Sequence, residues 1–331
     1  MLFLANSSLW GSISNIGIDT LSYGIPYAIL ALGIFLSFRI LDFADLTCEG
    51  SFTLGAAVTA IIATSGLSPY LGLFLSLIAG MFAGALTGIL NAKLKIPPIL
   101  SGIIVLSALF TINLIIMGIA NDGVFNFFQS FNTKVSVPIE NRFYYPLYNW
   151  LIGVFPNFKP KYAATIMLFV ILAVVCMLVY FFYGTETGMG IRATGMNPVM
   201  ARAQGINTDT MIILGLAISN GLISLAGALM SQVSGSASST MSIGVLVIGI
   251  ASIIIGEAII GKKTFKQNLI AVIIGTIIYY LITDIIIMTG ILGSHFLKLL
   301  YAIIIVAVLA FSNIKTNKKK KIVKVEGATN A

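Results

Sequence analysis

Residues 99–119 read ILSGIIVLSALFTINLIIMGI, a run of 21 positions without one ionisable side chain. About 20 apolar residues in a helix reach across the roughly 30 Å hydrocarbon core of a bilayer, so this stretch has the length and composition of a membrane crossing. Runs of the same kind recur on both sides of it. Reading apolar stretches between polar breaks predicts crossings at 17–38, 46–64, 70–92, 99–119, 163–183, 209–231, 244–260, 268–289 and 296–313, about nine in all. The chain as a whole agrees: of its 331 residues 58% are hydrophobic and 9% charged, with a mean hydropathy of +1.02, against roughly 25% charged residues in soluble domains. The fold class expected is an all-α polytopic bundle of about eight or nine transmembrane helices. Residues 1–314 form the membrane domain and 315–331 a basic tail.

The net charge of +8 does not indicate nucleic acid, because the 19 Lys and Arg are scattered between apolar runs except in the tail. They sort by side instead. Lys93 and Lys95, Arg192 and Arg202, Lys262, Lys263 and Lys266, and the tail from Lys315 to Lys324 all fall on one side of an alternating chain. The positive-inside rule makes that side cytoplasmic and puts the N-terminus outside a multi-pass plasma-membrane protein. The residues up to Gly11 lack the basic start and cleavage pattern of a signal peptide, so the first helix is expected to stay as an anchor. The external loop 120–162 carries Lys134, Arg142, Lys159 and Lys161 on the opposite side, with Tyr144, Tyr145, Trp150 and Pro156. It reads as an aromatic belt at the headgroups or as a docking surface for an outside partner.

Cys48 and Cys176 are far apart and have no companions at ligand spacing, and His295, the only histidine, sits in a turn beside Gly293 and Ser294. Neither a disulfide, a metal site nor a proton relay is indicated. Gly80, Gly84 and Gly88 repeat a small-xxx-small spacing that lets two helix backbones approach.

Charge at membrane depth is the best pointer to function, since each ionised group there costs about 2.5–3.5 kcal/mol or more. RILDFADLTCEGSFTLGAAV, residues 39–58, places Arg39, Asp42, Asp45 and Glu49 at steps of three, three and four, which as a helix gives one charged face. Arg39 and Asp42 suit an ion pair at the cytoplasmic mouth. Glu49, followed by Gly50 and an apolar run, is expected on the translocation path or at a break in the second crossing. Asp45, Asn113, Asn220 and Glu257 complete the candidate path or gate set, with interhelical hydrogen bonds the ordinary role for Asn113, Asn220 and Asp284 and an ion pair with Lys262 or Lys263 the ordinary role for Glu257. The polar run SQVSGSASSTMS, 231–242, reads either as a re-entrant lining or as a plain loop.

The loop 184–208 is too polar to cross the membrane and too patterned for a linker. Gly188 and Gly190 allow a tight exit from the preceding helix, Asn197-Pro198 starts a short helix and Gly205 ends it. Val199, Met200 and Ala203 then offer an apolar face beside Arg192 and Arg202, and this is a surface for a soluble partner or a helix resting on the membrane.

Three stretches carry a family resemblance. GIPYAILALGIFLSFRILDFADLTCEGSFTLGAAV (24–58), GIRATGMNPVMARAQGIN (190–207) running on into DTMIILGLAISNGLISLAGAL, and VLVIGIASIIIGEAIIG (245–261) together resemble the permease subunits of branched-chain amino-acid and ribose type ABC importers. The ADLTCEGSF and IIIGEAIIG variants are similar to a branch associated with amino-acid uptake, including aromatic amino acids. The resemblance implies a type II-like permease architecture. It implies that Gly190, Arg192, Ala193, Asn197, Pro198, Ala201, Arg202, Gly205, Ile206 and Asn207 couple the chain to an ATP-hydrolysing subunit. It also implies an extracytoplasmic solute-binding protein and a second permease chain, as a homodimer or with a related chain. No GxxxxGK[ST] phosphate loop is present, so this chain is expected to hold no cofactor and to be no enzyme itself, ATP and Mg belonging to the partner. An ion-coupled secondary transporter is the alternative, but Arg39 to Glu49 has no evident counterpart in the second half. An importer of a sugar or nucleoside is the other. An intramembrane enzyme would have to work with one turn histidine and two isolated cysteines.

Overall fold

The computed structural model describes residues 2–122, 133–155, 159–262 and 264–288. The expected crossing at 296–313, the tail and His295 lie outside the described residues. Within them the chain is a helix bundle: α1 (Leu2–Phe35, continued by a wider π-helical turn Leu36–Ile40), α2 (Thr47–Thr64), α3 (Pro69–Ala92), α4 (Pro98–Asp122), α5 (Tyr145–Val154), α6 (Pro160–Phe182), α7 (Glu186–Met196), α8 (Pro198–Ala203), α9 (Thr208–Ser234), α10 (Val245–Ile260) and α11 (Phe265–Met288). Among the described residues, seven helices are long and apolar enough to cross a membrane, and α10, at 16 residues, is a shorter apolar helix.

The centre of the bundle is α9, which packs against α1, α2 and α3, and glycines set how closely. A Cβ on Gly80 would lie 2.4 Å from the Asn220 carbonyl oxygen, one on Gly84 2.1 Å from that of Leu216, and one on Gly88 2.7 Å from Ile213 Cα. The spacing read from the sequence thus lays α3 backbone to backbone on α9. Gly55 of α2 and Gly227 of α9 form a second close crossing, each with its missing Cβ position 1.8 Å from a carbonyl oxygen of the other helix, Ser224 and Phe52 respectively. Apolar chains offer helices little reason to associate in a medium of lipid tails, so this interlocking, with hydrogen bonds between helices, supplies the attraction. Ser224 Oγ donates to Ser76 O and Ser219 Oγ to Gly33 O, joining α9 to α3 and to α1.

Between α1 and α2 the helix stops. The Phe43 amide reaches back to Ser37 O, Asp42 takes a left-handed φ of 54°, and residues 41–46 run without helical structure. Arg39, Asp42, Asp45 and Glu49 therefore do not share a helix face, correcting the expectation from their spacing. The missing backbone partners are replaced by side chains: Asp45 Oδ1 accepts from the Thr47 amide at 2.8 Å and Oδ2 from Asn220 Nδ2 at 2.6 Å, while Ser51 Oγ donates to Asn220 Oδ1 at 2.7 Å. Broken backbone at membrane depth requires this kind of replacement.

The depth follows from helix rise. All the loops that hold Lys93, Lys95, Arg192, Arg202 and Lys262 gather at one end of the bundle, where Lys95 bridges to Asp209 at 3.6 Å. Asn220 is 12 residues beyond Thr208, the first residue of α9, so it and the start of α2 lie about 18 Å in from that basic end.

At the opposite end α9 runs through Ser234, past its expected limit at 231, and β2 (Ser236–Ser238) follows, pairing antiparallel with β1 (Lys134–Ser136) in the register Lys134 with Ser238. The external stretch is thereby tied to the polar run. Gln232 Oε1 accepts from the Phe143 amide, Tyr70 Oη donates to Phe143 O, and Asn141 Nδ2 donates to Ala63 O. On this scaffold α5 exposes Trp150 and Val154, and Phe155 just beyond its end is exposed too.

Candidate functional site

Beyond β2 the chain turns back into the bundle before α10 begins. Ser242 Oγ accepts from Thr53 Oγ1 at 2.6 Å, and the Gly244 amide donates to Glu49 Oε1 at 3.1 Å. Gly244 takes a left-handed φ of +86°, which suits glycine, and opens α10 from a depth at which α2 is in its first turn. From Gly244 to Glu257 at the basic end is 13 residues of α10, about 20 Å. The run 231–242 is therefore the last turn of α9, a strand and a stretch that dips inward, and the crossing expected at 244–260 covers only part of the depth.

Where this dip meets α2 and α4 there is a cavity of about 360 Å³, lined by Glu49, Leu106, Ser107, Phe110, Ser239, Ser242 and Ile243. One half-buried carboxylate, three hydroxyls and one aromatic ring share it. Phe110 and Ile243 of this lining are exposed, as are Ile103 and Ile104 of α4 and Val247 of α10.

A second cavity, of about 330 Å³, lies at the basic end, with Arg39, Arg192, Met196, Glu257, Lys262 and Asn268 in its wall. Its centre is an ion-pair cluster. Glu257 takes Arg39 in a two-pronged contact, Nε to Oε1 at 2.9 Å and Nη2 to Oε2 at 2.6 Å, and Lys262 Nζ reaches Oε2 at 2.7 Å. The expected Arg39–Asp42 pair is thus replaced by one across 218 residues of sequence. The reason is the helix break, which carries Asp42 away from the face Arg39 occupies. Arg192 lies over the Phe265 ring at 5.4 Å.

The candidate path residues are thus divided. Glu49 lines one cavity and Glu257 the other, while Asp45, Asn113 and Asn220 are buried in helix contacts, Asn113 Nδ2 donating to Gly50 O at 3.0 Å. Asp284 accepts from Thr20 Oγ1. Ser107, Phe110 and Ile243 escaped sequence reading, since a serine, a phenylalanine and an isoleucine in or beside apolar runs carry no signal without the fold. Ser239 and Ser242 fell within the flagged polar run.

The loop 184–208 holds two helices where one was expected. The exit turn is at Tyr183–Thr185, and Gly188 and Gly190 lie inside α7, where a Cβ on Gly188 would meet Phe182 O at 2.3 Å. The second helix, α8, is as expected: Asn197 Oδ1 accepts from the Val199 and Met200 amides, Pro198 occupies the first turn, and Gly205 follows at φ +83°. Gly190 and Ala201 face inward, whereas Met196, Val199 and Met200 are 88%, 76% and 57% exposed. Arg202 turns back to Thr208 Oγ1 at 2.6 Å and to Asp209 at 3.3 Å, bracing the start of α9. Ala193 and Ile206 are partly covered, and Asn207 Oδ1 caps α9 at the Thr210 amide.

A bundle with a broken first pair of helices, an inward dip before a short helix and a small apolar-tipped helix at its basic end can now be set beside known proteins. The model of the branched-chain amino acid transport system permease component matches residues 17–309. The chain belongs to this family. It is a multi-pass membrane permease subunit of the ABC transporter type, and the resemblance stated from its motifs holds. A tyrosine transport system permease protein of Clostridioides difficile (strain R20291) is 38% identical over 304 residues, covering 92% of this chain and 93% of that protein. In Escherichia coli (strain K12), the inner membrane ABC transporter permease protein YjfF is 27% identical, over 88% of this chain and 78% of its own length. The galactofuranose transporter permease protein YtfT of the same organism is 26% identical, over 83% and 72%. No solved structure matches this permease.

Proposed function

We propose that this permease forms half of the translocation path of an ATP-driven importer for an amino acid, aromatic ones included, with its basic end in the cytoplasm and its N-terminus outside. The observation that carries this reading is α8: a six-residue helix at the basic end, fixed by caps at both ends and carrying exposed Val199 and Met200, with exposed Met196 at the end of α7 just before it. Such a knob is costly to leave in water and suits a cleft on a soluble subunit. The ATPase with its bound ATP and Mg supplies the energy, and Arg192, Ala193, Asn197, Pro198, Arg202, Gly205 and Asn207 shape or brace the contact.

A second copy is proposed at the face with Glu49. A carboxylate and serines in an open cavity at mid-depth cannot face lipid, so the cavity requires a cover that brings water or polar groups, and two copies meeting there enclose a path. An extracytoplasmic solute-binding protein delivers the substrate at the end built from β1, β2 and α5. ATP-driven closure of the ATPases moves α8, and the bundles rock to open the path to one side at a time. The amino-acid assignment is supported by the tyrosine permease relative; the galactofuranose relative makes a sugar the competing outcome.

Affinity purification of the tagged chain from its native membrane, followed by mass spectrometry, tests the reading. We expect an ABC ATPase to co-purify with wild type and to be lost from Val199→Glu, which places a charge on the knob at a residue that is 76% exposed. Retention of the ATPase by that variant removes α8 from the contact. Purification of the chain alone, active with an ion gradient, defeats the importer reading. The co-purified binding protein then identifies the solute.

A further inference from the structure

Glu49 presents a problem that its contacts with the Gly244 and Leu246 amides do not solve. It lies in the first turn of α2, level with the start of α10 and about 20 Å from Glu257. An ionised carboxylate at such depth normally has a cation beside it. Yet of the salt bridges among the described residues, none includes Glu49; at the basic end Arg39 and Lys262 pair with Glu257, and Lys95 and Arg202 with Asp209. The Gly244 amide donates to Oε1 and the Leu246 amide also acts on the carboxylate, which fixes it at the start of α10 but puts no cation beside it. The rest of the cavity is built from hydroxyls of Ser107, Ser239 and Ser242 and from the Phe110 ring. A positively charged guest with further polar groups and an apolar part fits that lining; a neutral polyol leaves the charge unanswered.

We propose that Glu49 is the specificity-determining residue of the path, and that it receives the α-ammonium group of a zwitterionic amino acid as the substrate crosses the middle of the membrane. This rests on the reading of the chain as an amino-acid importer permease. Ser242 Oγ, which accepts from Thr53 and keeps its own proton to donate, meets the substrate carboxylate, and Phe110 meets its side chain. One charge-assisted contact in an open cavity attracts the ammonium without holding it, as a path requires. The carboxylate also repels anionic solutes.

The test is ATP-driven uptake by proteoliposomes holding the permease, its co-purified ATPase and binding protein. The probes are a mixture of the radiolabelled standard amino acids and, in parallel, radiolabelled ribose and galactose. Glu49→Gln keeps the volume and an oxygen for the Gly244 amide but removes the charge; Glu49→Ala removes both. Wild type is expected to take up an amino acid, Glu49→Gln to lose about tenfold or more of that uptake, and Glu49→Ala to fall at least as far. ATPase activity stimulated by the binding protein should stay within about twofold of wild type in Glu49→Gln, because assembly and coupling are intact. Uptake by Glu49→Gln equal to wild type, with only Glu49→Ala impaired, overturns the proposal and leaves Glu49 as a brace for the turn at Gly244. Equal loss of uptake and ATPase in Glu49→Gln also overturns it, since the defect is then assembly. Uptake of a sugar and no amino acid by wild type defeats the underlying reading, and that failure shows in wild type, not in the variants.

Discussion

Gly55→Leu is expected to abolish recovery of folded permease, and even Gly55→Ala to lower its thermal stability measurably. At the α2–α9 crossing the missing Cβ of Gly55 lies 1.8 Å from Ser224 O, and the missing Cβ of Gly227 lies the same distance from Phe52 O. Both obstacles are backbone, so no rotamer change relieves the clash. The helices must separate, which takes Ser51 from Asn220 and Asn220 from Asp45, and with them the contacts that close the break at 41–46. Overpacking a tight core costs about 1–3 kcal/mol per site, and the loss of buried hydrogen bonds adds to it. Gly153→Ala is the control: it lies in the exposed helix α5 with nothing within 4 Å of its Cβ position, and alanine is the better helix former. Fluorescence-detected size-exclusion chromatography with a heating step measures all three. A monodisperse Gly55→Leu protein with the wild-type melting point would show that α2 and α9 do not cross this closely.

The positions of seven crossings were legible because crossing a bilayer imposes a length and a composition that survive in sequence. Seven long helices stand within a few residues of the apolar runs. The caps of α8 were legible for a related reason, since Asn-Pro at a start and Gly at an end answer local needs of the backbone. The interruption at 41–46 was not. Charges at steps of three and four read as one helical face, and only the reach of Asn220, 175 positions away, makes a non-helical path affordable for Asp45. The Gly80 series was visible as a repeat within one helix, whereas Gly55 and Gly227 act as a pair between helices and carry no pattern in either. The inward dip before α10 reads in sequence equally as a lining or a loop for the same reason: its anchors, Glu49 and Thr53, are about 190 residues upstream.

These failures have one physical source. In water an interrupted helix exposes its backbone to solvent at little cost, so a break needs no distant partner. In a membrane the backbone must be satisfied by other protein groups, and the residues that do so lie wherever the fold brings them. Polar residues inside apolar runs are consequently the positions where local reading is weakest. Here they divide into those spent on holding breaks together, Asp45, Asn220, Ser51 and Thr47, and those at a cavity, Glu49 and Ser242. What separates the two classes is whether the side chain lines open space, and that is a property of the fold.

The same distinction decides what to expect at the basic end. Glu257→Leu should destabilise the permease more than Arg39→Leu, although each removes one partner of the same pair. Glu257 is 5% exposed in its side chain, while Arg39 and Lys262 are 39% and 59% exposed. Removing Arg39 leaves the carboxylate still bridged by Lys262 at 2.7 Å. Removing Glu257 leaves Arg39, Lys262 and Arg192 around one cavity with no anion among its described lining. The exposed cations recover hydration, so the loss falls short of the 3–5 kcal/mol of a fully buried broken pair, and about 1–3 kcal/mol is expected. Because what remains is repulsion between exposed like charges, raising the salt from 0.05 M to 0.5 M should restore part of the stability of Glu257→Leu and little of that of Arg39→Leu. The double variant Arg39→Leu/Glu257→Leu removes one of the three cations along with the anion and should be less destabilised than the sum of the singles, the mark of a direct contact between α1 and α10. Melting of the purified, detergent-solubilised proteins at the two salt concentrations measures each of these. Additive single effects with no salt dependence would show that the cluster seen between the two helices does not hold them together.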